Sequence, residues 1–222
     1  MKEKGELMEL LDKLNIKPND EKLYIKALTH TSYSNEHLNE SYERLEFLGD
    51  AVLELVLSDY LYKEKHLEEG TMTKMRSCYV CEAACCTYAK KVGLDKYILL
   101  GSGEPEANTT ILADVFESFL GAMYLDQGLD VVKKFVIDTV LEYIENKVNF
   151  LHDYKSELQE QVQMVHKVAV YEIVNEEGPA HDKVFTCQVK VDDIIMGIGS
   201  GTSKKAAEQV AAREALKKQI KV

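Results

Sequence analysis

A change in hydrophobic periodicity near residue 150 constrains the fold of this chain more than any other feature. Before it, apolar residues recur every three or four positions, which is the spacing of one buried helix face. Gly70, Gly93 and Gly128 separate several of these segments. We expect helices near residues 3–14, 21–30, 41–63, 71–92, 109–125 and 128–147. The first part of the chain is therefore predicted to be almost entirely helical.

After residue 153 the periodicity changes from helical to alternating. A helix that begins after Asp153 precedes three segments in which apolar and polar residues alternate, as in strands with one buried face. These strands are predicted at residues 168–176, 183–192 and 194–201. Ser203 then caps a final helix. The order α-β-β-β-α indicates a small α+β domain at 153–222, which a short linker joins to an all-α domain at 1–149.

Five carboxylates lie at helical spacing inside two of the apolar segments. Glu43, Glu46 and Asp50 share a helix face in ERLEFLGD, whereas Asp114 and Glu117 share one in ILADVFESFL. Ionised carboxylates gathered in a low-dielectric environment are unfavourable unless cations or partners compensate their charge. Oxygen ligands from two helices suit a hard divalent ion such as Mg²⁺, which also binds substrate phosphates. The pattern predicts a metal-dependent phosphodiesterase.

Four of the five cysteines lie within nine residues, at Cys78, Cys81, Cys85 and Cys86. A metal site is one interpretation, because three of them would share a helix face. We favour the alternative of one continuous helix in which the thiols are small buried hydrophobes, since the sequence lacks a second ligand pair. No apolar run has the length of a membrane span, and the N-terminus has the pattern of an amphipathic helix. We therefore expect a cytoplasmic protein without a membrane partner.

The charge distribution bears on the type of partner. A net charge of −11 argues against a nucleic acid. Residues 204–221, however, carry six basic and two acidic side chains. Part of the acidic excess elsewhere is the group of five carboxylates itself. We therefore give the local pattern more weight than the total charge.

Several segments resemble the bacterial ribonuclease III family, whose members are endonucleases of double-stranded RNA. HTSYSNE (30–36) and YERLEFLGDAVLELV (42–56) are similar to the family signature. EEGTMTKMRS (68–77) and ILADVFESFLGAMYLDQG (111–128) resemble its two other characteristic blocks. DYKSELQEQVQ, EEGPAHDKVF and GSGTSKKAAEQVAA resemble the family's C-terminal double-stranded-RNA-binding domain. The resemblance covers essentially the whole chain, in order.

The resemblance implies roles for the acidic residues. Asp50 and Glu117 hold the positions that are called catalytic in the family. The implied metal ligands are Glu46, Asp50, Asp114 and Glu117. Glu54 extends the same helix face by one turn but matches no family acid, so we interpret it either as a surface residue or as one that supports the metal ligands without binding the metal.

Three further residues have implied roles with open alternatives. Glu43 and Glu69 match acids that line the active-site valley or support the dimer of the family, although salt bridges to neighbouring basic residues would also satisfy them. Phe47 matches an aromatic residue that inserts into a partner subunit. Packing in the core of its own chain is the alternative for Phe47.

The second domain is implied to bind A-form duplex, which proteins recognise mostly through shape, 2′-hydroxyls and phosphates. Candidate contacts lie in its first helix, in the loop between the first two strands, and at the start of the last helix. They are Ser156, Gln159, Glu160, His181, Lys183, Ser203, Lys204 and Lys205. Lys204 and Lys205 begin a helix, where phosphates bind favourably, and a solvated basic turn is the alternative.

One segment departs from the family pattern. Many members have a basic, glycine-containing segment before ILAD, whereas GSGEPEANTT (101–110) is acidic and contains no lysine or arginine. This departure puts in doubt any RNA contact that the family makes there.

Together with the resemblance, these features predict an endonuclease of double-stranded RNA that depends on Mg²⁺, with Mn²⁺ as a substitute. The resemblance implies a homodimer whose products carry 5′-phosphate and 3′-hydroxyl ends with short 3′ overhangs. The expected substrates are ribosomal RNA precursors and structured messenger RNA. A non-cleaving double-stranded-RNA-binding regulator is the rival hypothesis, against which the four intact acids argue. A helical phosphohydrolase of nucleotides would leave the second domain unexplained.

Overall fold

The computed structural model describes residues 2–151, 153–179 and 183–218. The chain divides into two compact units, Met1–Leu151 and His152–Val222. The first unit contains eight α-helices in its described part. They are α1 (Lys2–Lys13), α2 (Glu21–Ala27), α3 (Thr31–His37), α4 (Glu43–Glu64), α5 (Glu69–Val80), α6 (Glu82–Val92), α7 (Thr109–Gln127) and α8 (Leu129–Glu145). A short 3₁₀ turn, Leu94–Lys96, follows α6.

Helices α4 and α7 cross at close range at the centre of the first unit. A Cβ atom on Gly49 of α4 would overlap the carbonyl oxygen of Glu117, and one on Gly121 of α7 would overlap that of Leu45. The two glycines therefore allow the helix backbones to touch. Helix α7 is buried on most of its surface, and Phe116 is fully buried. This crossing brings the acidic face of α4 beside the acids of α7.

The single helix predicted over 71–92 is wrong, and so is the shared helix face predicted for its cysteines. Cys81 has an extended backbone, with ψ of 159°, and is the N-cap of α6. Across the break, the hydroxyl of buried Tyr88 donates to the backbone carbonyl of Tyr79 at 3.2 Å, and both rings contact Phe150. The helix predicted over 21–30 likewise ends at Ala27, and the separate helix α3 begins at Thr31.

The second unit has the predicted order of one helix, three strands and one helix. Its elements are α9 (Tyr154–Met164), β1 (Ala169–Glu177), β2 (Val184–Val191), β3 (Ile194–Gly201) and α10 (Lys204–Lys217). The strands form an antiparallel sheet in the order β1-β2-β3. The Asp153 and Ser203 side chains accept from the backbone N–H groups of Ser156 and Ala206, which confirms both predicted caps. One sheet face packs on α9 and α10 through a core that includes Leu158, Cys187 and Ala211.

The fold class predicted from the sequence is confirmed: an all-α unit precedes a small α+β unit. In the described part of the chain, no helix combines the length and the apolar character that crossing a bilayer requires.

Candidate active site and nucleic-acid interface

The acids predicted as metal ligands lie on two neighbouring helices. Glu46 and Asp50 are one turn apart on α4, with Glu46 half-buried and Asp50 exposed. Asp114 and Glu117 are one turn apart on α7, and both are half-buried. The helix spacing expected from the sequence is therefore present, and the α4–α7 crossing explains why the two pairs meet. We call these four residues the acidic site.

Two neutral side chains, neither of them among the sequence-predicted site residues, hydrogen-bond the α7 acids. The Tyr42 hydroxyl donates to Oδ2 of Asp114 at 3.0 Å. The Cys85 thiol donates to Oε1 of Glu117 at 3.6 Å. Tyr42 directly precedes Glu43 in the segment YERLEFLGDAVLELV, so its position in the sequence offered a signal that it lies near the acids. Cys85 lay in the cysteine cluster and carried no signal for this contact.

The acidic site disfavours its own negative charge. Burial, together with Asp114, Glu43 and Asp50, raises the pKa of Glu46 to about 7. Burial raises the pKa of Glu117 to about 8, with a further rise from the Asp50 charge. Burial also raises the pKa of Asp114, although the hydrogen bond from Tyr42 opposes this rise. Carboxyl groups whose pKa values are raised by burial and by each other are typical of functional sites.

The donor set fits a hard divalent cation, although its side chains are not yet gathered as ligands. In residues 2–151, 153–179 and 183–218, no group of three or more histidine, cysteine, aspartate or glutamate side chains is arranged to hold a metal. The four carboxylates nevertheless offer only oxygen donors, and neighbouring acids of the set contribute to the raised pKa values of Glu46 and Glu117. A bound cation would relieve the repulsion that raises them.

The two supporting acids lie at exposed positions. Glu43 begins α4 and accepts a hydrogen bond from the Ser41 hydroxyl at 3.0 Å. Glu69 begins α5 and accepts from the Thr73 hydroxyl at 3.1 Å. Glu43 contributes to the raised pKa of Glu46, so it belongs electrostatically to the acidic site.

Phe47 is exposed on the same helix as the α4 acids. Its exposed fraction is 82%, so the alternative that it packs in the core of its own chain is wrong. Leu55 and Tyr62 on the same helix are also exposed, at 54% and 71%, so Phe47 is one of several apolar side chains on the surface of α4.

The lysines at the start of α10 lie in a small charged cluster. Lys204 Nζ is 3.0 Å from Glu176 Oε1, and Lys183 Nζ is 3.4 Å from Glu176 Oε2. Both ammonium groups also approach the Phe185 ring, at 5.7 Å for Lys204 and 6.0 Å for Lys183. Lys205 is exposed beside them. The ammonium groups of Lys183 and Lys204 are thus held on the same side of the second unit.

The remaining predicted contacts are divided between helix caps and exposed positions. The Ser156 hydroxyl donates to Asp153 at 2.7 Å, and Ser203 caps α10. Gln159 is half-buried and Glu160 is exposed on α9. His181 lies outside the residues that the structure describes.

Comparisons with known proteins match both units. Residues 20–144 match the family described as ribonuclease-III-like, and residues 154–219 match the double-stranded RNA binding motif. Ribonuclease 3 of Bacillus cereus (strain G9842) is 47% identical over 217 residues, covering 93% of this chain and 89% of the relative. Ribonuclease 3 of Aster yellows witches'-broom phytoplasma (strain AYWB) is 45% identical over 217 residues, covering 96% and 91%.

A solved structure of the nuclease domain of ribonuclease III from Campylobacter jejuni is also similar. It shares 33% identity and a TM-score of 0.56, and the match covers 60% of this chain and 94% of that domain. Fold, site and comparisons together define an endoribonuclease whose catalytic domain precedes a double-stranded-RNA-binding domain. The chain belongs to the ribonuclease III family.

Proposed function

We propose that this enzyme hydrolyses double-stranded RNA with Mg²⁺, for which Mn²⁺ substitutes. The products are 5′-phosphate and 3′-hydroxyl ends with short 3′ overhangs. The observation that carries the proposal is the set of four carboxylates at the α4–α7 crossing, where Glu46 and Glu117 have raised pKa values. A divalent cation would stabilise the negative charges of such a set, whereas a protein that only binds RNA does not require these carboxylates.

The four acids have distinct roles in this proposal. Glu46, Asp50, Asp114 and Glu117 hold the metal directly or through water, with Asp50 and Glu117 as the catalytic pair. A divalent cation held there would lower the pKa of a bound water and would neutralise charge on the phosphoryl oxygens. Glu43 and Glu69 support the site from the starts of α4 and α5. Buried α7 keeps its two acids in place while the RNA backbone approaches.

The second domain brings the duplex to the acidic site in this proposal. Lys204, Lys205 and the Ser203 cap at the start of α10 bind phosphates. Ser156, Gln159 and Glu160 on α9, with His181 and Lys183 from the β1–β2 loop, contact the minor groove. We take residues 1–149 as the nuclease domain and 153–222 as the RNA-binding domain.

We further propose a homodimer in which each subunit cuts one strand. The observation that supports it is Phe47, which is 82% exposed on the helix that carries two of the acids. Replacing Phe47 with Ala should move the protein toward the monomer in sedimentation velocity at micromolar concentration. Leu38→Asn is the matched control, because Leu38 is 95% exposed and left-handed, a conformation that asparagine tolerates. An unchanged dimer in Phe47→Ala would contradict this interface.

The proposed substrates are ribosomal RNA precursors and structured messenger RNA, and the proposed location is the cytoplasm. The five cysteines are free thiols, which is usual in a reducing compartment. The test is incubation of a long, end-labelled perfect duplex with the full chain and Mg²⁺, followed by mapping of the product ends. We expect staggered cuts with 5′-phosphates. A duplex that is bound but stays intact would favour the non-cleaving regulator.

A further inference from the structure

Tyr42 is a buried side chain whose hydroxyl meets the acidic site. It is 2% exposed and lies just before α4. Its backbone N–H donates to the Thr29 carbonyl at 3.0 Å, and its ring lies 5.7 Å from that of His30. Thr29 and His30 therefore hold Tyr42 from outside the site. From this position the hydroxyl reaches Oδ2 of Asp114 at 3.0 Å.

A second tyrosine–aspartate pair in the same unit shows what is particular about this contact. The Tyr24 hydroxyl donates to Oδ2 of Asp126, also at 3.0 Å. Asp126 additionally accepts from the backbone N–H groups of Asn19 at 3.0 Å and Asp20 at 2.8 Å. Asp126 is thus fixed by several donors. For the Asp114 carboxylate, by contrast, the donor found in the described part of the chain is the Tyr42 hydroxyl.

We propose that Tyr42 is a positioning residue of the metal site, which orients Asp114 by holding Oδ2 and leaving Oδ1 for the cation. The inference rests on the proposed function and assigns a task to the segment at residues 30–36. A carboxylate held by one oxygen loses less rotational freedom when it binds a metal. Partners that orient metal ligands typically change metal affinity by about 10- to 100-fold.

The test compares Tyr42→Phe with Tyr24→Phe in the full chain. Each variant removes one hydroxyl from one buried tyrosine–aspartate pair, so a general loss of stability affects both. Mn²⁺ binding is measured by electron paramagnetic resonance without RNA, and cleavage is measured against Mg²⁺ concentration. We expect Tyr42→Phe to weaken Mn²⁺ binding and raise the half-saturating Mg²⁺ concentration, each by about tenfold. The rate at saturating Mg²⁺ should change less than threefold. Tyr24→Phe should match the wild type in both assays.

A double-mutant cycle with Asp114→Ala, which removes the acceptor of the Tyr42 hydroxyl, separates positioning from other effects. If Tyr42 acts through Asp114, Tyr42→Phe has no further effect on Mn²⁺ affinity once Asp114 is replaced. Equal Mn²⁺ affinity of Tyr42→Phe and wild type, or an equal loss in Tyr24→Phe, overturns the inference. Those results leave the proposed function intact as long as the wild type binds Mn²⁺ and cleaves. If the wild type failed to bind Mn²⁺ or to cleave duplex RNA, that result would instead contradict the proposed function.

Discussion

The acidic residues of the α4–α7 crossing and those of the three-stranded sheet have opposite electrostatic environments. In the sheet, Glu172 accepts from Lys190 at 2.7 Å and from Gln188 at 2.8 Å, and these partners lower its pKa. Hydrogen bonding with Lys204 likewise lowers the pKa of Glu176. At the crossing, burial and like charge raise the pKa values of Glu46 and Glu117.

This difference separates acids whose charge the chain compensates from acids whose charge the chain disfavours. The sheet glutamates are satisfied within the chain, so they need no ligand. At the crossing, by contrast, burial and neighbouring negative charge disfavour the ionised forms of Glu46 and Glu117. The same residue type therefore has different consequences, which depend on burial and on the neighbouring charges.

Among the changes that test this comparison, Glu117→Gln should have the largest effect on cleavage. We expect cleavage to fall by roughly a thousandfold or more, because a catalytic metal ligand loses its charge. Duplex binding, measured by mobility shift, should stay unchanged. Melting of the metal-free protein at pH 8 should move up by roughly several degrees, because a disfavoured buried charge is removed. Glu54→Gln, one helical turn beyond Asp50, is the control and should behave as the wild type. Near-normal turnover in Glu117→Gln would refute its role.

A change in pH should have an effect of intermediate size, and it should change cleavage and folding stability in opposite directions. Cleavage at low Mg²⁺ should fall by roughly thirtyfold from pH 8 to pH 6, because protons on Glu46 and Glu117 compete with the cation. Stability behaves oppositely. The folded pKa of Glu117, about 8, exceeds its ordinary value of 4.5. Its stabilising contribution is therefore full below about pH 4.5 and is lost as pH rises through about 8.

These two signs can be measured separately. Rates at several Mg²⁺ concentrations should show an acid limb whose midpoint moves to lower pH as Mg²⁺ increases. Melting temperatures of the metal-free wild type and Glu117→Gln should diverge as pH rises from 5 to 8. A midpoint that stays at the same pH at every Mg²⁺ concentration would argue against competition between protons and metal.

Lys204→Ala combined with Lys205→Ala should have the smallest effect of the three. We expect roughly tenfold weaker duplex binding at about 0.1 M salt and a salt slope reduced by about 1 to 2, because about two phosphate contacts are lost. The rate at saturating RNA should be retained. Lys217→Ala with Lys218→Ala, at the other end of α10, is the charge-matched control. An unchanged salt slope in the first variant would exclude phosphate contact by these lysines.

Local patterns were sufficient to predict much of the molecule. The acids on α4 and α7, the three strands and the caps at Asp153 and Ser203 follow from spacing within about ten residues. The break at Cys81 did not follow, because helical periodicity continues on both sides of it. The hydrogen bond from the Tyr88 hydroxyl to the Tyr79 carbonyl spans this break, and it joins residues nine positions apart.

Contacts between distant residues were also beyond the reach of local pattern. The Tyr42–Asp114 hydrogen bond joins residues 72 positions apart, and the Cys85–Glu117 contact joins residues 32 positions apart. The pairing of Lys204 with Glu176 was likewise not predicted, since it depends on how the sheet and α10 pack. Sequence spacing identified which acids share a face, whereas the fold determines which neutral groups hold them.

The location of bound Mn²⁺ by anomalous X-ray scattering, in crystals of the full chain, tests the central claim most directly. We predict a peak at the α4–α7 crossing, ligated directly or through water by Glu46, Asp50, Asp114 and Glu117. A peak held by other residues, or none at this crossing at Mn²⁺ concentrations that support cleavage, would contradict the account.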